Sequence, residues 1–439
     1  MYYSQIKYLC ALKPELINLF SEMRIISLLF LAFVCISANA NSVNKSKNDT
    51  ITDTHNKDFV YQVKKMQGEI ILDGVIDEAD WLAAEKAVDF YKVLPVDTGF
   101  ATQPSEILVT YDDKALYMAQ IFYDTIPGKR IMESYRRDFA FGNNDNLLVF
   151  FDTFLDQTNG FSFGVSASGA KWDGTMSDGS AVNLDWDCKW ESKTKHYDDR
   201  WVTEMRIPFK SIRYPSGSQK WYANFSRLDL KANEKSSWAP VPRQFPTASL
   251  AYTGVMNFED PLPKSKMMFS LIPYVFGSYS NNFETGTGDV WKKDFGFDAK
   301  IGFSSSMNLD LTYNPDFAQV EVDQQVTNID RFELFFPEKR QFFLENSDLF
   351  SGFGDSNVNP FFSRRIGLDA PVLAGARLSG KIGNNWRVGF MNMATQETSH
   401  FLARNFTVAS VQKKVFARSN FGFILVNKEY FNQLADTTM

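Results

Sequence analysis

Strict alternation of apolar and polar residues in the second half of the chain constrains its fold most. Residues 294–303 read DFGFDAKIGF, in which every odd-numbered position is Phe, Ala or Ile and every even-numbered position is Asp, Gly or Lys. Successive side chains of a β-strand point to opposite faces of its sheet, so this segment predicts a strand with one apolar and one polar face. MNLDLTY at 307–313 and VLAGARLSGKI at 372–382 repeat the pattern.

An outer-membrane β-barrel needs such strands, because one face of each strand meets lipid and the other meets the lumen. About seven strands of this kind follow residue 266. Bacterial single-chain barrels have even strand numbers of about eight or more, and closure satisfies the backbone in lipid. We therefore expect residues 266–439 to form a partial, truncated outer-membrane β-barrel that a downstream chain would complete. A soluble sandwich also alternates, and that alternative stays open.

Residues 59–260 carry short β-branched and aromatic runs separated by Asp, Gly, Asn and Pro turns. EILVTYDD, NLLVFFDT and RWVTEMRIPF are examples, and no long helical pattern lies between the runs. Many short strands at this spacing predict an antiparallel β-sandwich of jelly-roll-like form. DEADWLAAEKA at 77–87 is the one short helix expected, and EDPLPKSK at 259–266 marks the boundary of this domain.

An export signal is expected at the N-terminus. Met23 and Arg24 precede the apolar run IISLLFLAFVCISANA, which ends in a small-residue pattern at Ala40. This predicts a signal peptide at 1–40, with Met23 as the start and cleavage after Ala40. The run falls short of the ~20 residues of a spanning helix, which disfavours a membrane anchor. Residues 41–58 are polar and aperiodic, and they predict a flexible linker.

Composition excludes one class of partner. The net charge is -6, the sequence pI is near 5.4, and no concentrated basic face is evident, so no nucleic-acid partner is expected. Cys188 is the only cysteine of the three that lies beyond the predicted signal peptide, so we expect no intramolecular disulfide in the mature chain even after export.

Four blocks of the first half resemble, in order, family 9 carbohydrate-binding modules: LDGVIDEADW (72–81), YDDKALYMA (111–119), NNDNLLVFFDT (143–153) and WVTEMRIPFKSI (201–212). Such modules are β-sandwiches attached to xylanases and related enzymes, and those that bind sugar hold it between two tryptophans. The resemblance implies glycan binding by residues 59–260. At the two clamp positions this chain has Phe141 and the segment TASLAYTG (247–254), which contains no tryptophan.

Three tryptophans are further candidates for stacking on a sugar ring. Trp172, Trp186 and Trp190 lie in GAKWDG and DWDCKW, which are polar, turn-like contexts. Packing in the core or at the edge of the sandwich is the alternative for each of them. The predicted carbohydrate-binding residues are therefore Phe141, Trp172, Trp186 and Trp190.

The second half also carries a resemblance. NPDFAQVEVDQ (314–324), FELFFPEKRQFFLE (332–345) and FFSRRIG (361–367) resemble an uncharacterised group of bacterial outer-membrane proteins in which such a module precedes a barrel. FFPEKRQFFLE at 335–345 suits a protein-lined lumen or rim, where its phenylalanines pack together while its charges meet water or a polar wall. A plain β-hairpin of FELFF and QFFLE is the alternative.

The sequence predicts no catalytic centre. His196 and His400 stand alone, and no G-x-S-x-G, phosphate-binding-loop or zinc motif occurs. We therefore expect no cofactor and no enzyme activity, although a structural calcium could bind Asp73, Asp77 and Glu78. The alternative for these acids is a turn that leads into a helix N-terminus, which favours negative charge.

Three functions are consistent with these features. The first is polysaccharide binding by an exported, outer-membrane-associated protein, in glycan capture, uptake or catabolism, with a periplasmic or extracellular sandwich and with glycan and outer-membrane lipid as partners. The second is a non-catalytic module of a secreted, xylanase-like O-glycosyl hydrolase. The third is a structural or gating domain of an outer-membrane pore that binds no sugar.

Overall fold

The computed structural model describes residues 58–263, 269–282, 287–304, 306–317, 327, 335–336, 338–354, 358–383, 385–398, 401–415 and 419–431. The predicted signal peptide at 1–40 lies outside these residues, as does the predicted linker at 41–58 except for Asp58. No helix in the described part of the chain has the length and apolar content needed to span a bilayer.

Fourteen strands form the first sheet. In chain order they are β1 (Val60–Lys65), β2 (Lys86–Ala87), β3 (Tyr91–Leu94), β4 (Ser105–Tyr111), β5 (Ala115–Tyr123), β6 (Asn146–Asp152), β7 (Gly160–Ser166), β8 (Lys171–Ser177), β9 (Ala181–Asn183), β10 (Glu191–His196), β11 (Arg200–Pro208), β12 (Lys220–Asp229), β13 (Glu234–Ser237) and β14 (Gly254–Phe258).

Strand β1 joins the two layers of this curled sheet. Residues 60–63 pair in parallel with β14, whereas Lys64 and Lys65 pair in parallel with β4. From β14 the order continues through β12, β6, β7, β8 and β9, and from β4 it continues through β5, β11 and β10. The other neighbours along this order pair antiparallel. The predicted antiparallel β-sandwich is confirmed, with β1 as the parallel exception.

The main core lies between the two layers. Val149 on β6 and Phe225 on β12 come from one layer, Met118 on β5 and Met205 on β11 come from the other, and all four are fully buried. The residues two positions before and after Val149 belong to the same cluster, as the two-residue period of a strand requires. Burial of each such side chain contributes about 1.5–3 kcal/mol, so apolar packing holds the layers together.

The expected short helix occurs at Ala79–Ala83. Its Trp81 is fully buried, and the indole Nε1–H donates to Oε1 of Glu204 at 3.0 Å. The other Glu204 oxygen accepts the backbone N–H groups of Asp73 and Gly74 at 2.8 and 2.7 Å. Burial raises the pKa of Glu204, and these hydrogen bonds offset part of that rise. Glu204 thus fastens the helix and the turn before it to β11.

Seven strands form a second sheet. They are β15 (Phe269–Asn282), β16 (Thr287–Gly302), β17 (Met307–Tyr313), β18 (Val372–Ile382), β19 (Trp386–Thr395), β20 (Arg404–Lys414) and β21 (Asn420–Tyr430). Each strand pairs antiparallel with its neighbour in chain order, from β15 to β21. The number agrees with the strands expected from the alternating segments.

In strands β16 and β17 the second sheet turns its polar face inward and its apolar face outward. In β17 the even-numbered residues 308–312 are Asn, Asp and Thr and are buried, whereas the odd-numbered residues 307–313 are apolar and partly or fully exposed. On β16, Phe295 is 60% exposed and Phe297 is 37% exposed. This distribution is the reverse of that of a water-soluble sheet, whose exposed face is the polar one.

The segment between β17 and β18 packs on the buried face of the second sheet. It contains two short helices, Gln341–Leu344 and Asp348–Ser351. Phe343 and Phe350 from these helices pack with Met391 and Met393 of β19 in one buried cluster. The predicted alternative of a plain β-hairpin is wrong for the described residues, because Gln341–Leu344 is helical and not a strand.

Two charges of this segment are largely buried and pair with each other. Arg340 is 8% exposed and donates to both carboxylate oxygens of Glu338, at 2.8 and 2.6 Å. It also donates to the carbonyl oxygens of Ser363 and Ile366, each at 2.7 Å. A guanidinium that is paired and has this many acceptors can be buried at a small cost in free energy. This explains how Glu338 and Arg340 fit among the phenylalanines of this segment.

Candidate functional site

Phe141 and Trp172 lie in one hydrophobic cluster on the face of β6 that points away from the main core. Trp172 lies within β8 and is 5% exposed, because it packs with Leu148 and with Leu250 of the TASLAYTG segment. Phe141 is half-buried at the edge of the cluster, and Lys235 Nζ lies 4.5 Å from its ring centroid. Apolar packing and a lysine therefore cover the ring faces at the position where the family resemblance implies a clamp.

Trp190 and Trp186 belong to the other side of the same layer. Trp190 is 2% exposed and packs edge-to-face on Phe163, with ring centroids 5.6 Å apart. Trp186 is only half-buried, and its ring lies 5.5 Å from that of Phe161. Among the described residues, Trp186 lines a cavity that Phe141, Trp172 and Trp190 do not line.

This cavity, which we name the junction cavity, has a volume of about 450 Å³ and lies between the sandwich and the second sheet. Its lining combines aromatic rings with hydroxyl, amide and charged groups, which is the composition of sites that bind saccharides. The residues that line it include Phe161, Trp186, Lys210, Ser211, Arg213, Lys300, Glu345, Asn346, Asp348, Lys381 and Arg387.

Local structure explains the sandwich wall of the junction cavity. Gly160 begins β7, and a Cβ at this position would lie 2.3 Å from the carbonyl oxygen of Phe151 on the neighbouring strand, so only glycine fits. Phe161 and Trp186 then form an aromatic wall. Lys210 lies on the 3-10 turn Phe209–Ser211 that ends β11, and its side chain is exposed.

Glu345 dominates the opposite wall. Its carboxylate forms ion pairs with Arg213 of the sandwich and Lys300 of β16, and it accepts a hydrogen bond from Asn308 Nδ2 at 2.6 Å. Burial alone would raise the pKa of Glu345, but Arg213 and Lys300 outweigh this effect and lower it to about 2. Glu345 therefore stays ionised and ties the sandwich to the second sheet.

A second link uses the turn that follows β6. Asp156 pairs with Lys381 of β18, and its carbonyl oxygen accepts a hydrogen bond from Lys414 of β20. Asp152 shapes this turn, because its carboxylate accepts the backbone N–H groups of Phe154, Asp156 and Gln157 at 3.1, 3.2 and 2.6 Å. Complete burial of Asp152 raises its pKa to about 6 against the effect of these hydrogen bonds.

The structure does not gather Asp73, Asp77 and Glu78 into a metal site within the described residues. Asp73 Oδ1 accepts the N–H of Val75 at 2.8 Å, and Glu78 Oε1 accepts the N–H of Ile71 at 3.0 Å, so both carboxylates serve the turn before the helix.

A different acidic group does converge, namely Asp138, Asp173 and Asp187. Arg137 pairs with all three carboxylates, including Asp187 at 2.6 Å. Burial, with the neighbouring Asp173 and Asp187, raises the pKa of Asp138 to about 6. The Arg137 guanidinium therefore supplies the positive charge that a bound metal ion would otherwise provide.

Sequence reasoning missed the polar residues of the junction cavity. Lys210 and Arg213 come from one segment, Lys300 from a second and Glu345 from a third, and no sequence pattern links the three segments. Their one sequence signal is indirect: Lys300 alternates with apolar neighbours in DFGFDAKIGF, so it had to lie on the polar face of its strand.

Comparison with known families and sequences gives one match. Residues 266–373 match a family described as a domain of unknown function (DUF5916). This match covers β15 to β17 and the segment that packs on the second sheet. No curated protein matches the chain.

Solved structures resemble a little under half of the chain. A family 9 carbohydrate-binding module from Caldicellulosiruptor kristjanssonii in complex with cellotriose is 16% identical over 47% of this chain and 95% of its own, with a TM-score of 0.34. A carbohydrate-binding protein from Bacteroides uniformis is 12% identical over 46% of this chain and 99% of its own, with a TM-score of 0.39. Scores and identities this low transfer no function.

Proposed function

We propose that the protein binds a carbohydrate in the junction cavity and does so as an outer-membrane-associated protein, in glycan capture, uptake or catabolism. The observation that supports this most is the wall formed by Trp186 and Phe161 opposite a polar wall that contains Asn346 and Asp348. An aromatic face packs on the C–H surface of a sugar, and the facing amide and carboxylate hydrogen-bond its hydroxyls. The four blocks that resemble family 9 modules favour the same ligand class.

Membrane association is supported by the inverted second sheet. Its strands present phenylalanine, leucine and valine outward, whereas Asp310 and Arg377 form a buried ion pair at 2.9 Å on the opposite face. An outward-facing apolar surface is unfavourable in water and favourable in lipid, because apolar side chains lower the free energy when they are removed from water.

The lengths of the strand connections favour a periplasmic sandwich. At the end of the second sheet that meets the sandwich, the connections are short: 303–306, 383–385 and 415–419. The two long connections, 314–371 and 396–403, start and finish at the other end, which also carries the short connection 283–286. The 314–371 segment folds back along the sheet, so that its Glu345 reaches Arg213 of the sandwich. Short turns of outer-membrane barrels face the periplasm and long loops face outward. We therefore propose that the sandwich and the junction cavity face the periplasm.

A glycan array with the purified full chain in detergent tests carbohydrate binding. Wild type should bind at least one glycan class, Trp186→Ala should lose that signal, and Tyr135→Ala, an exposed aromatic of the sandwich outside the cavity, should keep it. Binding that survives Trp186→Ala would place the site elsewhere, and no binding to any glycan would contradict the proposal.

Protease treatment of whole cells tests the orientation. The sandwich should resist an added protease in intact cells and be cleaved once the outer membrane is permeabilised. Cleavage in intact cells would contradict a periplasmic sandwich without affecting the proposed ligand.

The attachment of the sandwich to the sheet favours a second candidate, a structural or gating role in a pore without sugar binding. Asp156 contacts Lys381 and Lys414, which lie at the ends of two different strands. Such a protein would bind nothing on the array, and Asp156→Asn would change its conductance in planar bilayers. Unchanged conductance would contradict this candidate.

A further inference from the structure

The lining of the junction cavity carries more positive than negative charge. Five cationic side chains line it: Lys210, Arg213, Lys300, Lys381 and Arg387. Two carboxylates line it, those of Glu345 and Asp348. The chain as a whole has a net charge of -6, so this local excess runs against its overall composition.

On the sheet side of the cavity, the carboxylates behind the lining do not cancel the excess. Asp156 pairs with Lys381, and Asp310 lies 3.6 Å from Lys300 but also pairs with Arg377 at 2.9 Å. When Asp156, Asp310 and Arg377 are added to the residues of the lining, the total is six cationic side chains and four carboxylates. Lys414 and Asp152, which lie near Asp156, add one charge of each sign and leave the excess unchanged.

Two cations share one carboxylate on the sheet side. Glu345 pairs with both Arg213 and Lys300, whose side chains remain 22% and 33% exposed. Because a single carboxylate cannot neutralise two cations, a positive charge remains on this wall of the cavity. A second anion can approach both groups from the cavity.

Lys210 is the cation that is most available to a ligand. It is exposed, it lines the junction cavity beside Ser211, and no ion pair or hydrogen bond of its side chain is found among the described residues. An ammonium without a partner at the edge of a partly enclosed cavity attracts anions more strongly than one on an open surface, because less water screens it.

We propose that the junction cavity selects oligosaccharides that carry a negative charge, either a carboxylate or a sulfate ester. This inference rests on the proposed carbohydrate binding. The aromatic wall packs on the sugar ring while Lys210, Arg213 and Lys300 bind the anionic substituent. Charge-assisted hydrogen bonds of this kind are about twice as strong as neutral ones.

Calorimetric titration of the purified full chain with three matched probes tests the inference: a neutral cello-oligosaccharide, an oligogalacturonate and a sulfated galactan oligosaccharide. An anionic probe should bind about tenfold more tightly than the neutral one at low salt, and the difference should shrink as salt increases. The two anionic probes distinguish a carboxylate ligand from a sulfate ester.

Two variants locate the effect. Lys210→Glu, at an exposed position that folding does not require, should remove most of the anionic preference, whereas Lys193→Glu, an exposed lysine of β10 outside the cavity, should not. Equal affinity for all probes would overturn this inference and leave carbohydrate binding intact. No binding of any probe would overturn both, and an anionic preference unchanged in Lys210→Glu would overturn the role of the cavity cations.

Discussion

Replacement of Glu345 by glutamine should break the link between the sandwich and the second sheet. The carboxylate side chain is 12% exposed and pairs with Arg213 and Lys300, so the isosteric amide leaves two cations without their partner. Removal of one partner from a buried pair costs about 3–5 kcal/mol. The fall of the Glu345 pKa from 4.5 to about 2 corresponds to about 3 kcal/mol, which agrees with the lower end of that range.

The loss of stability expected for Glu345→Gln depends on pH. Because the pKa of Glu345 is lower in the folded state, its stabilising contribution is complete above about pH 4.5 and disappears as the pH falls toward 2. At neutral pH, Glu345→Gln should therefore reduce the free energy of unfolding by about 3 kcal/mol relative to wild type. At about pH 2 the two proteins should be equally stable.

Chemical unfolding of the full chain in detergent, followed by near-ultraviolet circular dichroism across this pH range, measures the difference. Glu133→Gln is a matched control because Glu133 is exposed. This substitution should leave the free energy of unfolding unchanged. If Glu345→Gln unfolds at the same denaturant concentration as wild type at neutral pH, or loses stability in acid in parallel with it, the assigned ion pairs do not stabilise the protein.

Other substitutions test separate parts of the structure. Trp172→Ala should destabilise the sandwich by about 3–5 kcal/mol in urea unfolding, because Trp172 is buried in its cluster, whereas Trp186→Ala should mainly weaken glycan binding in titration. Asp152 has a pKa raised to about 6, so the thermal midpoint of wild type should fall as the pH rises from about 4 to about 6, and Asp152→Asn should flatten that change. Leu311→Arg, on the apolar face of β17, should reduce insertion into liposomes by about 2–4 kcal/mol, measured by flotation; unchanged insertion would contradict a lipid-facing sheet.

The strands of both halves could be predicted from the sequence because their signal is local. The two-residue alternation in MNLDLTY and VLAGARLSGKI reports the two faces of a strand directly, and the structure pairs these two segments as β17 and β18. The same alternation could not tell which face is buried, because that depends on whether water or lipid surrounds the sheet.

The candidate site could be predicted only in part. The polar contexts of Trp172 and Trp190 suggested exposed turns, but Trp172 lies inside β8 and Trp190 packs on Phe163, so tertiary packing decided their burial. Trp186 borders the junction cavity, and the groups opposite it, such as Glu345, lie far away in sequence. Contacts between residues so far apart in the chain produce no local pattern, so a single sequence does not reveal them.

Carbohydrate binding in the junction cavity is tested most directly by the position at which a bound sugar crosslinks to the protein. An oligosaccharide probe that carries a photoreactive group would be irradiated with the full chain, and the labelled peptides would be identified by mass spectrometry. We expect labels near Trp186, on Lys210 to Arg213 and around Glu345, which surround the junction cavity. Labels confined to the region of Phe141 and Trp172 would contradict binding in the junction cavity.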